Sequence, residues 1–230
     1  MKTIGIIGGM SWESTLEYYR IMNQTVKEKL GGFHSAKIVM YSLDFHQVEK
    51  LQHQQKWEEA ARIMIDAAQR VERAGADFFI IATNTMHKMA EEVEQAVRIP
   101  LLHIVDVTAE AIKSKGQKRV GLLGTRFTME EEFYKGRLSI KHGLEVLIPE
   151  KQERQDIHNI LYNELCLGEL KEASQQRFRD IIFNLVARGA EGVILGCTEI
   201  PLIVNQKDYD IALYDTTALH ARAAVAYALD

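Results

Sequence analysis

Short apolar, β-branched runs alternate along the chain with longer stretches of helical period. "TIGIIG" precedes "TLEYYRIMNQTVKEKL", "AKIVMYSL" precedes "WEEAARIMIDAAQRVERAG", and "DFFIIA" precedes "MHKMAEEVEQAV". Brief apolar runs bounded by turn residues read as buried strands, and their alternation with helices predicts βαβ units around a parallel sheet. Gly31 and Gly75 stand where two of these helices end, as glycine does at many helix C-termini. "IPLLHIVD" is expected to add a strand and "VTAEAIKSKG" a helix.

The pattern then begins again. "KTIGIIGGMS" at 2–11 is echoed by "KRVGLLGTRF" at 118–127, so that Gly5 matches Gly121 and Gly8 matches Gly124 at a shift of 116. "AGADFFIIATNT" is echoed by "RGAEGVILGCTE", so that Gly75 matches Gly189 and Thr83 matches Cys197 at a shift of 114. Two shifts so close together describe a duplicated unit. The fold class expected is α/β, with two similar Rossmann-like lobes whose parallel sheets are flanked by helices. Lobe one is expected at 1–105 plus 208–230, the tail returning to complete it, and lobe two at 106–207. With no Pro- or Gly-rich linker between them, the lobes are expected to pack closely around a cleft. Ligands of open α/β sheets bind beyond the carboxyl ends of the strands, where Thr83 and Cys197 are both expected.

Composition narrows the function. The 230 residues carry 28 Lys and Arg against 32 Asp and Glu, a net charge of -4 without long runs of either sign, which argues against a nucleic-acid partner. The N-terminus enters a strand at once, without the pattern of a signal peptide, and no apolar run approaches the roughly 20 residues that cross a bilayer. A cytoplasmic protein without a membrane partner is expected. Two cysteines, Cys166 and Cys197, make no disulfide framework, so both are expected to be free thiols. The eight histidines show neither an HExxH pattern nor zinc spacing with the cysteines, so no metal is expected.

Four stretches carry candidate chemistry. "GIIGGMS" lacks GxGxxG spacing and a following Lys-Ser or Lys-Thr, so it reads as a tight turn whose Gly8 and Gly9 turn backbone amides toward a small anion. His87 lies four residues after Thr83, one helical turn on, where it is either a functional group or an ordinary histidine of a helix start. Cys166, in "LYNELCLGEL", reads as a structural thiol on a helical stripe. Cys197, between Gly196 and Thr198 at a strand end, reads as an exposed thiol whose pKa neighbouring amides lower.

"GGMSWEST", "TNTMH" and "GCTEI" together resemble the aspartate/glutamate racemase family of cofactor-independent amino-acid racemases. The resemblance spans the whole chain, duplicated lobes included. It implies an isomerase in which two cysteines, one per lobe, act on opposite faces of the substrate's α-carbon, one removing a proton and the other returning one. The second-lobe cysteine falls on Cys197, but the first falls on Thr83. The resemblance further places Met10, Asn84, Thr85 and Thr198 around the substrate, with Gln52 and Thr125 nearby. It implies no cofactor, a small amino acid as the only ligand, and a homodimer. The chain departs from many members near Leu167, where they carry a lysine.

A threonine hydroxyl is far less acidic than a thiol and does not rest as an alkoxide, so Thr83 is expected to serve as acid rather than base. In the racemases that the chain resembles the second-lobe cysteine serves the L-face, so the resemblance implies an aspartate/glutamate racemase that favours the L-enantiomer, with Cys197 as base, Thr83 as opposing acid, and His87 and Glu199 as candidate relays. Glu199 is equally well read as capping the helix after it. Two alternatives remain open: a decarboxylase or cis-trans isomerase of a small dicarboxylate on the same fold, and a member that only binds an amino acid as a sensor.

Overall fold

The computed structural model describes residues 1–230. Its strands are β1 (Ile4–Gly8), β2 (Ile38–Ser42), β3 (Phe78–Ile81), β4 (Arg119–Gly124), β5 (Glu145–Leu147), β6 (Gly192–Gly196) and β7 (Ala212–Asp215). They form two parallel sheets, ordered β2-β1-β3 and β5-β4-β6-β7. The chain divides into a first unit of Met1–Ile104 with His220–Asp230 and a second of Val105–Leu219.

The repeat seen in sequence is a repeat of register. Ile4 pairs with Phe78 and Ile7 with Ile81, while Val120 pairs with Gly192 and Leu123 with Leu195. The partners on β1 and β4 differ by 116 (120−4) and those on β3 and β6 by 114 (192−78), the shifts that relate the two sequence echoes. Helix Trp57–Arg73 precedes β3 as helix Glu172–Ala187 precedes β6.

Each face of the first sheet buries one side of the strand alternation. Ile7, Phe79 and Ile81 point toward helix Trp57–Arg73, which answers with Ala60, Met64, Ala67, Ala68 and Val71 at helical spacing. Ile4, Ile6, Phe78 and Ile80 point the other way, toward Tyr18, Met22 and Val26 of helix Trp12–Leu30 and the alanine-rich face of helix Thr216–Leu229. Each fully buried Ile, Met or Phe in these layers contributes about 1.5–3 kcal/mol of transfer free energy. The matched glycines have one packing reason: a Cβ on Gly5 would run into Val71 Cγ1, and one on Gly121 would lie 2.9 Å from Leu185 Cδ1, so both let a helix lie close on the central strand.

The arrangement of strands departs from the sequence expectation in two places. "IPLLHIVD" forms only a single bridge, Leu101 to Phe79, and the helix Ile104–Ser114 begins within it. Pro100 lacks the N–H that a longer ladder needs, and only its carbonyl takes part, accepting from Phe79. The tail is divided as well. β7 pairs with β6 in the second sheet, Val193 opposite Leu213 and Ile194 opposite Tyr214, so residues 208–219 belong with the second unit and only His220–Asp230 with the first. No helix is long and apolar enough to cross a membrane.

Candidate active site

In the first unit β3 ends at Ile81, and the chain turns through Ala82, Thr83 and Asn84 into a 3-10 helix, Thr85–Met89. Thr83, Asn84, Thr85 and His87 are all buried, at 8, 3, 5 and 2% exposure. Polar side chains so placed at a strand end need partners. Gln52, also buried, donates from Nε2 to Met86 Sδ at 3.0 Å, which brings two of the sequence-selected stretches together. Met10 is buried after β1, and the β1 carbonyl of Ile7 accepts from Ala82 N at 2.9 Å, joining the glycine turn to the Thr83 turn.

Within the glycine turn the Gly9 amide is already engaged. Gly9 N donates to Thr15 Oγ1 at 2.8 Å, and Thr15 Oγ1 in turn donates to Ser11 O. The expected presentation of the Gly9 amide to an anion is thereby corrected, because a donor has one hydrogen and Thr15 takes it.

His87 lies in the 3-10 helix with both ring nitrogens set against the backbone, Nδ1 2.8 Å from Thr83 O and Nε2 3.3 Å from Ile104 N. Both bonds hold the turn that carries Thr83.

In the second unit the matching place is more strongly charged. β6 ends at Gly196 and Cys197 follows at once. A Cβ on Gly124 would lie 2.8 Å from Gly196 O, so only glycine lets β4 and β6 stay paired up to the residue before the thiol. Thr125, next along, is buried and caps the short helix Arg126–Glu130, its Oγ1 accepting from Thr128 N.

Cys197 is buried, not exposed as expected, and its Sγ donates to Glu199 Oε2 at 2.9 Å. Burial, the first cause, pushes the thiol well above its ordinary value; the Glu199 charge adds to this, and Cys166 adds further. A backbone bond from Glu199 works the other way but does not prevail. The expected amide-lowered thiolate is therefore corrected: the resting group is a thiol. Glu199, 3% exposed, also accepts from Thr198 Oγ1 at 2.9 Å. Its side chain makes no capping bond to the 3-10 helix Ile200–Leu202, which decides against the capping reading. Cys166 sits half-buried in a 3-10 turn, Leu165–Leu167, rather than on a helical stripe. Its influence on Cys197 is a link that sequence gave no sign of, since the two are far apart along the chain.

The two strand ends thus carry unlike chemistry at matched positions, a hydroxyl in one and a thiol beside a carboxylate in the other. Comparison with known proteins identifies the family. The family model Asp/Glu/Hydantoin racemase matches residues 7–224. The broad specificity amino-acid racemase RacX of Bacillus subtilis is 26% identical over 227 residues, covering 96% of each chain. Among solved structures, a putative Asp/Glu racemase from Yersinia pestis is 52% identical with a TM-score of 0.94, and an aspartate racemase homologue from Pyrococcus horikoshii is 37% identical with a TM-score of 0.86, each covering 100% of both chains. With the family model matched over residues 7–224 and a parallel α/β architecture shared from end to end, the chain belongs to the Asp/Glu/Hydantoin racemase family.

Proposed function

We propose that this member of the racemase family interconverts the enantiomers of acidic amino acids, aspartate and glutamate, without a cofactor and with initial rates favouring the L-enantiomer. The observation that carries this reading is the matched pair of strand ends, Thr83 after β3 and Cys197 with Glu199 after β6.

Cys197 is the base and Thr83 the opposing acid. At rest Cys197 is held as a thiol by burial and by the Glu199 carboxylate. The α-ammonium group of an amino acid placed beside Glu199 neutralises that carboxylate, removes its opposition to ionisation, and lets Cys197 yield its proton to solvent and become a thiolate. The thiolate then takes the α-proton, and the electron pair left on carbon is delocalised into the substrate carboxylate. Thr83 Oγ1 returns a proton from the opposite side of the α-carbon and is itself reprotonated by water. Met10, Gln52, Asn84, Thr85, Thr125 and Thr198 are the proposed substrate-binding residues. Coupling the ionisation of Cys197 to the ammonium group restricts the chemistry to amino acids and keeps the empty enzyme unreactive.

Thr83 cannot readily start the reverse reaction, since its hydroxyl is a poor base. The equilibrium constant between enantiomers is one, so the preference appears in initial rates and in which enantiomer saturates the enzyme, through slow resetting of Thr83. The protein is proposed to act as a homodimer in the cytoplasm, where both thiols stay reduced.

A chiral assay of the dialysed protein on L- and D-amino acids, with and without chelator, tests the reading. Conversion of L-aspartate or L-glutamate to the D-form, unaffected by chelator, is expected. Carbon dioxide release without inversion would instead establish the decarboxylase alternative, and tight binding without turnover the sensor.

A further inference from the structure

The first unit contains a cluster of three buried histidines, His87, His103 and His220, for which acid-base exchange with a substrate supplies no role. The rings of His87 and His103 lie 4.5 Å apart and those of His87 and His220 6.0 Å apart. The nitrogens are not gathered as for a metal ion; they are directed at the backbone.

The hydrogen bonds define the tautomers. Ile104 N–H can only donate, so His87 Nε2 accepts and carries no proton, and Nδ1 must carry one and donate to Thr83 O. Leu102 O can only accept, so His220 Nε2 carries the proton and Nδ1 accepts from Tyr18 Oη at 3.0 Å. Ile104 opens the helix Ile104–Ser114, and its N–H is one of the donors that a helix start leaves without an intrahelical partner. The same bond that caps this helix therefore selects the donor form of His87 toward Thr83.

A carbonyl held by a hydrogen bond fixes the peptide plane that follows it. His87 holds the plane joining Thr83 to Asn84, and with it the place of Thr83 Cα, from which the hydroxyl-bearing side chain projects, and the direction of the Asn84 N–H. Ile104 is the last residue before the chain enters the second unit and His220 the first after it returns. The Thr83 turn and both chain passages are thus tied to one buried cluster within the first unit.

We propose that His87 is a positioning residue for Thr83: its Nδ1–H tautomer, selected by the Ile104 amide, aims the Thr83 hydroxyl, so that proton return by Thr83 depends on His87 whereas proton removal by Cys197 does not. This rests on the racemase reading given above. It makes a distinction that general loss of structure does not. When Cys197 removes the α-proton of L-aspartate, exchanges it with D2O and returns a deuteron from the same thiol, the product is α-deuterated L-aspartate. When Thr83 supplies the deuteron from the other side, the product is D-aspartate. The ratio of inversion to total exchange therefore reads Thr83 separately from Cys197.

The experiment follows α-proton loss by NMR and D-aspartate by chiral chromatography for wild type, His87→Ala, His87→Asn and His87→Gln, with circular dichroism confirming that each is folded. Asn places an amide donor near the position of Nδ1, whereas Gln places its amide near Nε2. In His87→Ala total exchange is expected to stay within about twofold of wild type and the inversion ratio to fall by about tenfold, which corresponds to about 1.4 kcal/mol of barrier for the return step. His87→Asn should recover most of the ratio and His87→Gln should not. A parallel fall of exchange and inversion in folded His87→Ala, or equal recovery by Gln and Asn, overturns the assignment. Absence of both exchange and inversion in wild type overturns the racemase reading itself, and this inference with it.

Discussion

Replacing Glu199 by Gln should make the resting thiol of Cys197 more reactive, although Glu199 is proposed to serve the reaction. Glu199 Oε2 lies 2.9 Å from Cys197 Sγ, and both groups are buried. With an effective dielectric constant of about 20, a carboxylate charge at that distance opposes a thiolate by about 6 kcal/mol. Side-chain relaxation and entering water reduce this, but even a quarter of it, about 1.4 kcal/mol, equals one pKa unit and tenfold more thiolate at fixed pH below the pKa. Gln keeps the shape and an acceptor oxygen, so the rise caused by burial remains while the charge is removed. The assay is the rate of iodoacetamide labelling at Cys197, followed by peptide mass spectrometry at about pH 7.5 in a Cys166→Ser background. At least about tenfold faster labelling is expected in Glu199→Gln. The same variant should show a KM for L-aspartate raised by about tenfold or more, because the substrate ammonium has lost its partner. Unchanged or slower labelling in folded protein would refute the reasoning, since it would mean that Glu199 places no charge against the thiol.

Other substitutions separate the remaining roles. Thr83→Cys should raise initial turnover of D-aspartate by about tenfold or more, about 1.4 kcal/mol of barrier, because it supplies a thiol where Thr83 offers only a hydroxyl; unchanged turnover would remove Thr83 from the acid-base pair. Gly124→Ala should destabilise the protein by about 1–3 kcal/mol and slow Cys197 chemistry, since the new Cβ would lie 2.8 Å from Gly196 O, which chemical denaturation and initial rates would register. His220 is held down to about 4 by burial, against an ordinary 6.5, so the unfolded chain takes up its proton first on acidification. The stability from keeping it neutral is complete above about pH 6.5 and should be lost progressively toward pH 4, by about 3 kcal/mol. Urea unfolding midpoints across that range should fall less steeply in His220→Gln.

Much of this was legible in the chain because it is written twice. The shifts of 116 and 114 that match Gly5 to Gly121 and Thr83 to Cys197 are the offsets of the paired strands themselves, so the repeat located both strand ends before any contact was known. Periodicity found the buried faces, as in Met64, Ala67, Ala68 and Val71. It failed where an apolar run had two outcomes: "IPLLHIVD" has the composition of a strand, but Pro100 and the early start of helix Ile104–Ser114 stop the ladder after Leu101. β7 was assigned to the wrong lobe because an edge strand's partner is a matter of long-range pairing, which the local pattern does not encode. At the site, residue types were legible and their electrostatics were not. Small neighbours suggested an exposed, acidified Cys197, whereas burial and the side chain of Glu199 raise its pKa. The bond from His87 to Thr83 joins residues four apart, but the tautomer that gives it direction depends on Ile104, seventeen residues further on.

The decisive measurement is the position and origin of the new α-hydrogen when L-aspartate is turned over in D2O by wild-type protein and by Cys197→Ser. Proton removal by Cys197 with return from the opposite side predicts D-aspartate carrying deuterium at the α-carbon from wild type. In Cys197→Ser both inversion and exchange should fall to background, while Cys166→Ser retains most of each. Inversion that survives in folded Cys197→Ser, or D-product that keeps its original α-proton, would show that Cys197 is not the base.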